Sequence, residues 1–194
     1  MAATTGNHHG PHPGPLVHPP TRRVYWPCLK NAHTSMNKWL VDYKPVSPTC
    51  LRQTNQHSGQ HWAIIRDPYE RYLSALHTIW AVKHATAIDW EDYVTHVAHW
   101  NSQQPHIHTA GNNNHHAPQH TTRHPEALLW PMHHLDQLAH WLNLDPPPHR
   151  NPAELEHIEY ARQRIPEQPI RRNYETDQNV WDNTIRTWEP PSQN

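Results

Sequence analysis

The stretch that decides the fold is residues 61–80, HWAIIRDPYERYLSALHTIW. Its apolar run WAII, residues 62–65, is typical of a buried strand in the middle of a sheet. A helix is predicted to begin directly afterwards, because Asp67 suits the N-cap, Pro68 suits the first helical position and Glu70 completes a capping box. One side of this helix carries an apolar stripe at steps of four, three and four positions, formed by Tyr69, Leu73, Leu76 and Trp80.

The rest of the chain continues to alternate short apolar segments with helical patterns. We predict further strands at 23–29, 47–54 and 126–132. We predict further helices at 34–43, at 89–100 with Asp89 as the cap, at 134–144, from residue 152 onwards and at 169–188. Strands that alternate with helices predict an α/β fold in which helices cover both faces of a central parallel sheet.

Length and composition set the domain organisation. The chain has 194 residues, which is long enough for one domain with a hydrophobic core. Residues 1–21 are rich in Pro, Gly and His and have little to bury, so we predict a flexible arm there. Residues 22–194 are predicted to form a single α/β domain.

Charge and apolar patterning argue against nucleic-acid and membrane partners. Lys and Arg total 16 and Asp and Glu total 17, whereas nucleic-acid-binding proteins usually show a basic excess. No apolar run approaches the roughly 20 residues of a membrane span. The first residues lack the basic-then-apolar pattern of a signal peptide, so we expect a soluble, cytoplasmic protein. The sequence predicts neither an oligomeric state nor a source.

Two strand–helix junctions carry residue types that hold phosphate groups. Lys30 follows the first predicted strand, and Thr34 and Ser35 open the next helix, whose N-terminus attracts anions. Arg66 leaves the strand of residues 62–65, and Ser74 follows eight residues later in the helix. Ligands of parallel α/β sheets bind outside the carboxyl ends of the strands. The two junctions therefore predict a ligand with two separated phosphates.

This pairing resembles the sulfotransferases that use PAPS (3′-phosphoadenosine 5′-phosphosulfate). The family's 5′-phosphosulfate loop has the pattern Lys-x-Gly/Ala-Ser/Thr-Thr-Ser/Thr, which resembles Lys30-Asn31-Ala32-His33-Thr34-Ser35. Its 3′-phosphate element pairs an Arg at a strand end with a Ser eight residues later, as Arg66 and Ser74 stand here. The sequence RDPYER, residues 66–71, looks most like the corresponding motif of the carbohydrate sulfotransferases of the Golgi type and related bacterial proteins.

Weaker similarities follow in the same order along residues 22–185. NHHAPQH, residues 114–120, is similar to the family's His-x-x-Pro-Gln loop with His115 in register, or to the shorter His-x-Pro-Gln with His116 in register. MHHLDQLAHWLNLDPPPHRN, residues 132–151, looks like its late strand–helix unit and His-x-Asn turn. YETDQNVW, residues 174–181, is similar to its closing Tyr-x-x-Asp helix.

The resemblance implies a three-layer, P-loop-like fold and transfer of a sulfuryl group from PAPS to a hydroxyl acceptor, which would be a carbohydrate or another small molecule. It implies that residues 30–35, Arg66 and Ser74 bind PAPS, that Lys30 stabilises the leaving group and that no metal is required. The family's general base is usually a His or Glu near this edge of the sheet. Two histidines follow the predicted second strand, and we prefer His57 to His61 because His57 lies in a loop beside Ser and Gly.

Two other functions compete with this interpretation. A P-loop kinase needs G-x-x-x-x-G-K-[ST], whereas here the Lys precedes the loop and no glycine pair exists. A non-catalytic binding or structural protein of the same fold is the stronger rival. His33 supports it, because this residue stands where the family pattern has a small hydroxyl.

Overall fold

The computed structural model describes residues 14–28, 36, 39–47, 60–104, 106–108, 116–147 and 152–191, with only the backbone at 152–154. These residues form an α/β fold around a five-stranded mixed sheet. The strands are β1 (Leu16–Val17), β2 (Val24–Tyr25), β3 (Lys44–Pro45), β4 (His61–Ile65) and β5 (Leu128–Pro131).

The sheet has the strand order β3-β1-β2-β4-β5. β2, β4 and β5 are mutually parallel, as predicted, but β1 is antiparallel to both β2 and β3. The prediction of a wholly parallel sheet was therefore wrong for the β1 side. The physical reason is the short connection between β1 and β2, since a link of a few residues joins antiparallel strands while parallel strands need a long crossover.

The β1–β2 connection lies in the segment predicted to be a flexible arm. Its turn is closed by a backbone hydrogen bond from Arg22 N to the His18 carbonyl, 2.8 Å, and by one from His18 N to the Arg23 carbonyl, 2.9 Å. Arg22 has a φ of 57°, in the left-handed region that such a turn can require. Val17 of β1 is buried. The sheet therefore begins before residue 22, while residues 1–13 lie outside the described part.

The described helices follow the predicted order. They are α1 (Pro68–Ile79), α2 (Trp90–Gln103), α3 (Leu135–Leu142), α4 (Pro152–Arg162), α5 (Glu167–Asn173) and α6 (Glu175–Thr187). A π-helical turn, Trp80–His84, extends α1, and short 3₁₀ turns occupy Gln119–Thr121 and Met132–His134. The single helix predicted at 169–188 is in fact two, because the chain leaves helical geometry at Tyr174 (φ −110°, ψ 34°).

The strand–helix unit at residues 61–80 forms as predicted. The Asp67 carboxylate caps α1 by accepting hydrogen bonds from Tyr69 N at 2.9 Å and Glu70 N at 3.1 Å. The predicted capping box is not completed, because the Glu70 carboxylate binds the Arg162 guanidinium instead. Two other predictions, the strand at 47–54 and most of the helix at 34–43, lie outside the described residues, and the described part of the latter leaves helical geometry after Trp39.

Two apolar clusters form the described core. Alternate strand residues of β2, β4 and β5 pack with α3 in one of them, which includes Tyr25, Trp62, Ile64, Trp130, Leu138 and Trp141. The predicted stripe of α1 packs with α2, α4 and α5 in the other, which includes Tyr69, Leu73, Leu76, Tyr93, Val94 and Ile165. None of the helices that the structure describes is long and apolar enough to cross a bilayer.

Candidate functional site

The carboxyl ends of the three parallel strands meet at one edge of the sheet. Tyr25 pairs with Trp62, and Ile65 pairs with Pro131, so the chain leaves all three strands on the same side. Cys28 follows β2, Arg66 follows β4 and the turn Met132–His134 follows β5. This is the edge at which ligands bind in parallel α/β sheets.

Arg66 is fixed at the end of β4 by the Pro-Gln loop. Its backbone N–H donates to Gln119 Oε1 at 3.0 Å, and Gln119 Nε2 donates to the Arg66 carbonyl at 2.8 Å. Both residues are buried, with exposed fractions of 5% and 4%. Gln119 therefore satisfies both the backbone N–H and the backbone carbonyl of Arg66. It connects residues 116–122 to the residue that we predict to bind the 3′-phosphate.

The Arg66 guanidinium shares the Glu70 carboxylate with a second arginine, Arg162. Its Nη2 lies 3.7 Å from Glu70 Oε2, while the same carboxylate receives Arg162 Nη2 at 2.9 Å and Arg162 Nε at 3.0 Å. The hydrogen bonds that Arg162 donates to the Glu70 carboxylate raise the pKa of Arg162. Since Arg162 lies closer to the carboxylate, the Arg66–Glu70 contact is the weaker of the two ion pairs.

Ser74 is buried in α1, one turn beyond Arg71 and on the same side of the helix. It lies about 9 Å along the helix axis from Pro68. Arg66 and Ser74 thus belong to one rigid strand–helix unit. Seven other residues assigned to the site lie outside the described part of the chain: Lys30, Asn31, Ala32, His33, Thr34, Ser35 and His57.

A buried carboxylate joins three of the segments that resemble sulfotransferase motifs. Asp177, at the start of α6, has a side chain only 1% exposed. Its oxygens accept Gln119 N at 2.6 Å, His120 N at 2.9 Å and His120 Nδ1 at 2.7 Å. Arg71 Nη2 lies 3.6 Å away and supplies a positive charge. We define these four residues, Arg71, Gln119, His120 and Asp177, as the Asp177 cluster.

Arg71 and Tyr174 complete the surroundings of the Asp177 cluster. Arg71 Nη1 donates to the Ala117 carbonyl at 2.8 Å, and its guanidinium lies 5.1 Å from the centre of the Tyr174 ring. Tyr174 Oη donates to the His116 carbonyl at 2.9 Å. Burial raises the pKa of Tyr174 to about 12. The strand–helix junction at 66–71, the loop at 116–120 and the start of α6 are therefore one packed unit.

Cys28 connects this unit to the end of β2. Thr122 Oγ1 donates to the Gln119 carbonyl at 3.0 Å, and the Thr122 side chain lies near the Cys28 thiol, whose pKa it helps to lower. Burial raises the pKa of Cys28, partly opposed by the nearby Arg71 guanidinium. Cys28 is the last described residue before the predicted phosphosulfate loop, which begins two positions later in the sequence at Lys30.

His61 lies at the other end of its strand. It is the first residue of β4, whereas Arg66 follows the last, so about 16 Å of extended chain separates them. Its Nδ1 contacts Trp26 Nε1 at 3.0 Å, and its ring stacks on His124 with 4.1 Å between centroids. His61 is therefore poorly placed for chemistry at the carboxyl edge, which leaves His57 as the predicted base of the pair.

The sequence did not single out Asp177, Gln119 or His120 as site residues. A signal existed, since two of them lie in Pro-Gln and Tyr-x-x-Asp segments, but no local pattern shows that they meet. Within the described residues, no group of three or more His, Cys, Asp or Glu side chains is arranged to hold a metal ion.

A cavity of about 390 Å³ opens beside the first turn of α1. It is lined by Asp67, Tyr69, Glu70, Arg162, Ile165, Glu167 and Arg171, so it includes neither Arg66 nor Ser74. Its charged groups pair with one another, as Arg171 does with Asp67 at 2.9 Å. We therefore do not assign this cavity to the candidate site. No protein-family model, curated protein or solved structure matches this chain.

Proposed function

We propose that this chain is a PAPS-dependent sulfotransferase that moves a sulfuryl group to a hydroxyl, with carbohydrates as the acceptor class. The proposal includes a three-layer, P-loop-like arrangement of the sheet and helices. The five-stranded mixed sheet and the β4–α1 unit support this arrangement. One observation carries it. Arg66 at the carboxyl end of β4 is held by Gln119, and Gln119 is held by Asp177, so three segments that resemble separate family motifs contact one another.

In this proposal the two phosphates of PAPS bind to different junctions. Arg66 and Ser74 bind the 3′-phosphate. The backbone of residues 30–35, with the Thr34 and Ser35 hydroxyls, binds the phosphosulfate. Lys30 stabilises the charge that develops on the bridging oxygen as the phosphate leaves. His57 is the predicted base for the acceptor proton, a role worth typically about 10²–10⁴ in rate.

The second candidate function is a non-catalytic binding or structural protein of the same fold. The observation that favours it is the environment of Arg66, whose side chain is only 7% exposed and already faces Glu70. A buried Arg with an acidic neighbour serves packing as readily as ligand binding. His33 in the loop favours the same alternative.

Thermal unfolding in the presence of adenosine 3′,5′-bisphosphate separates these functions. At 100 times the Kd a ligand adds about 2.7 kcal/mol, which corresponds to a rise in Tm of about 5–10 °C for a domain of this size. We expect that rise for the native protein and a much smaller one for Arg66→Gln, each compared with its own ligand-free Tm. Arg186→Gln, at an exposed position of α6, is the matched control and should behave as native.

The other outcomes assign the other functions. Stabilisation by ATP with Mg²⁺ alone would indicate a kinase, and no response to either nucleotide would favour the non-catalytic protein. If the bisphosphate binds, Lys30→Ala tests catalysis, because loss of sulfuryl transfer with binding retained is expected for a residue that stabilises the leaving group. Full transfer activity in Lys30→Ala would contradict the mechanism.

A further inference from the structure

We propose that His120, oriented by Asp177, is the general base of the sulfuryl transfer, in place of His57. This inference rests on the proposed function. It starts from an arrangement at the carboxyl edge of the sheet in which a buried carboxylate holds an imidazole through one nitrogen. His120 Nδ1 lies 2.7 Å from Asp177 Oδ1, and the two side chains are 35% and 1% exposed.

The hydrogen bonds of Asp177 decide which nitrogen of His120 carries the proton. The Gln119 and His120 backbone N–H groups can only donate, so both carboxylate oxygens act as acceptors. The imidazole contact at Oδ1 is then made by Nδ1–H. In the neutral ring this leaves a lone pair on Nε2. A carboxylate that fixes the tautomer and direction of a histidine is the arrangement that general bases use.

His120 also has the position that the reaction needs. It follows Gln119, which binds the backbone of Arg66 at the end of β4, and it precedes Thr122, whose side chain lies near the Cys28 thiol beyond the end of β2. The loop that carries His120 therefore runs from the end of β4, to which the proposal assigns the 3′-phosphate, towards the end of β2, which precedes residues 30–35 in the sequence. The His120 ring is partly open to solvent, so an acceptor hydroxyl can approach Nε2.

The sulfuryl transfer conserves atoms and electrons. The acceptor oxygen forms a bond to sulfur while the bond between sulfur and the bridging phosphate oxygen breaks, and the bonding pair leaves with adenosine 3′,5′-bisphosphate. The acceptor proton moves to Nε2 of His120, which becomes an imidazolium facing Asp177. The imidazolium then releases its proton to water. No oxidant, reductant or further reactant is needed.

The substitution His120→Asn separates catalysis from folding. The Asn amide nitrogen can replace Nδ1 as the donor to Asp177, so the buried carboxylate keeps its bonds, while the Nε2 lone pair is lost. With labelled PAPS and unsulfated heparosan or chondroitin as acceptors, we expect kcat to fall about 10²–10⁴-fold. We expect native-like stabilisation by adenosine 3′,5′-bisphosphate. His99→Asn, at an exposed position of α2, is the matched control and should keep native activity.

Two readouts distinguish a base from a merely structural histidine. The acid limb of the native pH–rate profile should vanish in His120→Asn, and added imidazole should restore part of the activity of His120→Ala. Native activity in His120→Asn, or loss only in His57→Asn, would overturn the inference and leave the proposed function standing. A native protein that transfers no sulfuryl group to these acceptors overturns the assignment of His120, whereas the proposed function fails only if adenosine 3′,5′-bisphosphate also does not bind.

Discussion

Replacing Asp177 with Asn tests whether the buried carboxylate holds the site together. Three hydrogen bonds end on this carboxylate, and the Arg71 guanidinium lies 3.6 Å away. Bonds to charged groups contribute about 1.5–3 kcal/mol each, but they are not additive and Asn keeps one acceptor oxygen. Breaking one partner of a buried ion pair costs about 3–5 kcal/mol, and we expect a loss of this size. With an m-value of about 2 kcal/mol/M, the urea midpoint should fall by about 1.5–2.5 M.

Asp182→Asn is the matched control for this experiment. Asp182 is the same residue type on the same helix, but it is exposed and accepts one hydrogen bond, from Gln178 Nε2 at 2.7 Å. Surface substitutions of this kind change stability by less than about 0.5 kcal/mol. If Asp177→Asn unfolds at the same urea concentration as Asp182→Asn, with equal m-values, the Asp177 cluster does not hold the three segments together.

Two further predictions concern a helix cap and a half-buried histidine. Asp67→Ala should destabilise the protein by about 1–2 kcal/mol in urea unfolding, whereas Asp67→Asn should cost less than half as much because Asn also caps helices; equal losses would contradict the capping role. Burial first, and then the charges of His96 and His84, lower the pKa of His108 from 6.5. The unfolded chain therefore binds a proton at His108 before the folded protein does, so stability should fall as the pH drops below about 6.5. His108→Gln should flatten this dependence between pH 7 and pH 5, and an unchanged slope would refute it.

The parts of the fold that the sequence predicted correctly are those with local causes. Asp67 and Pro68 mark the start of α1 without reference to any other segment, and the apolar run of β4 is long enough to show its character. β1 and β3 have two residues each, too few for any periodicity. They exist because Leu16 pairs with both Tyr25 and Pro45, which no local pattern reveals.

The break in the last helical region has a tertiary cause as well. Residues 169–188 have a helical pattern throughout, but the chain turns at Tyr174. The buried Tyr174 hydroxyl donates to the His116 carbonyl, and its ring faces the Arg71 guanidinium. A residue bound to a segment 58 positions earlier can hold a backbone geometry that helix propensity does not favour.

The candidate general base also depends on the position of a histidine in the fold and not on its residue type alone. The chain has 22 histidines, so a histidine near a predicted ligand edge has little weight by itself. His61 is next to the apolar run of β4, but strand direction puts it at the amino end, away from Arg66. His120 lies in the Pro-Gln segment, whose sequence gives no sign of its partners, yet Asp177 fixes its Nδ1 and Gln119 ties it to the strand end. A general base is distinguished by a fixed tautomer and by the edge of the sheet it occupies, and both properties depend on residues far away in the sequence.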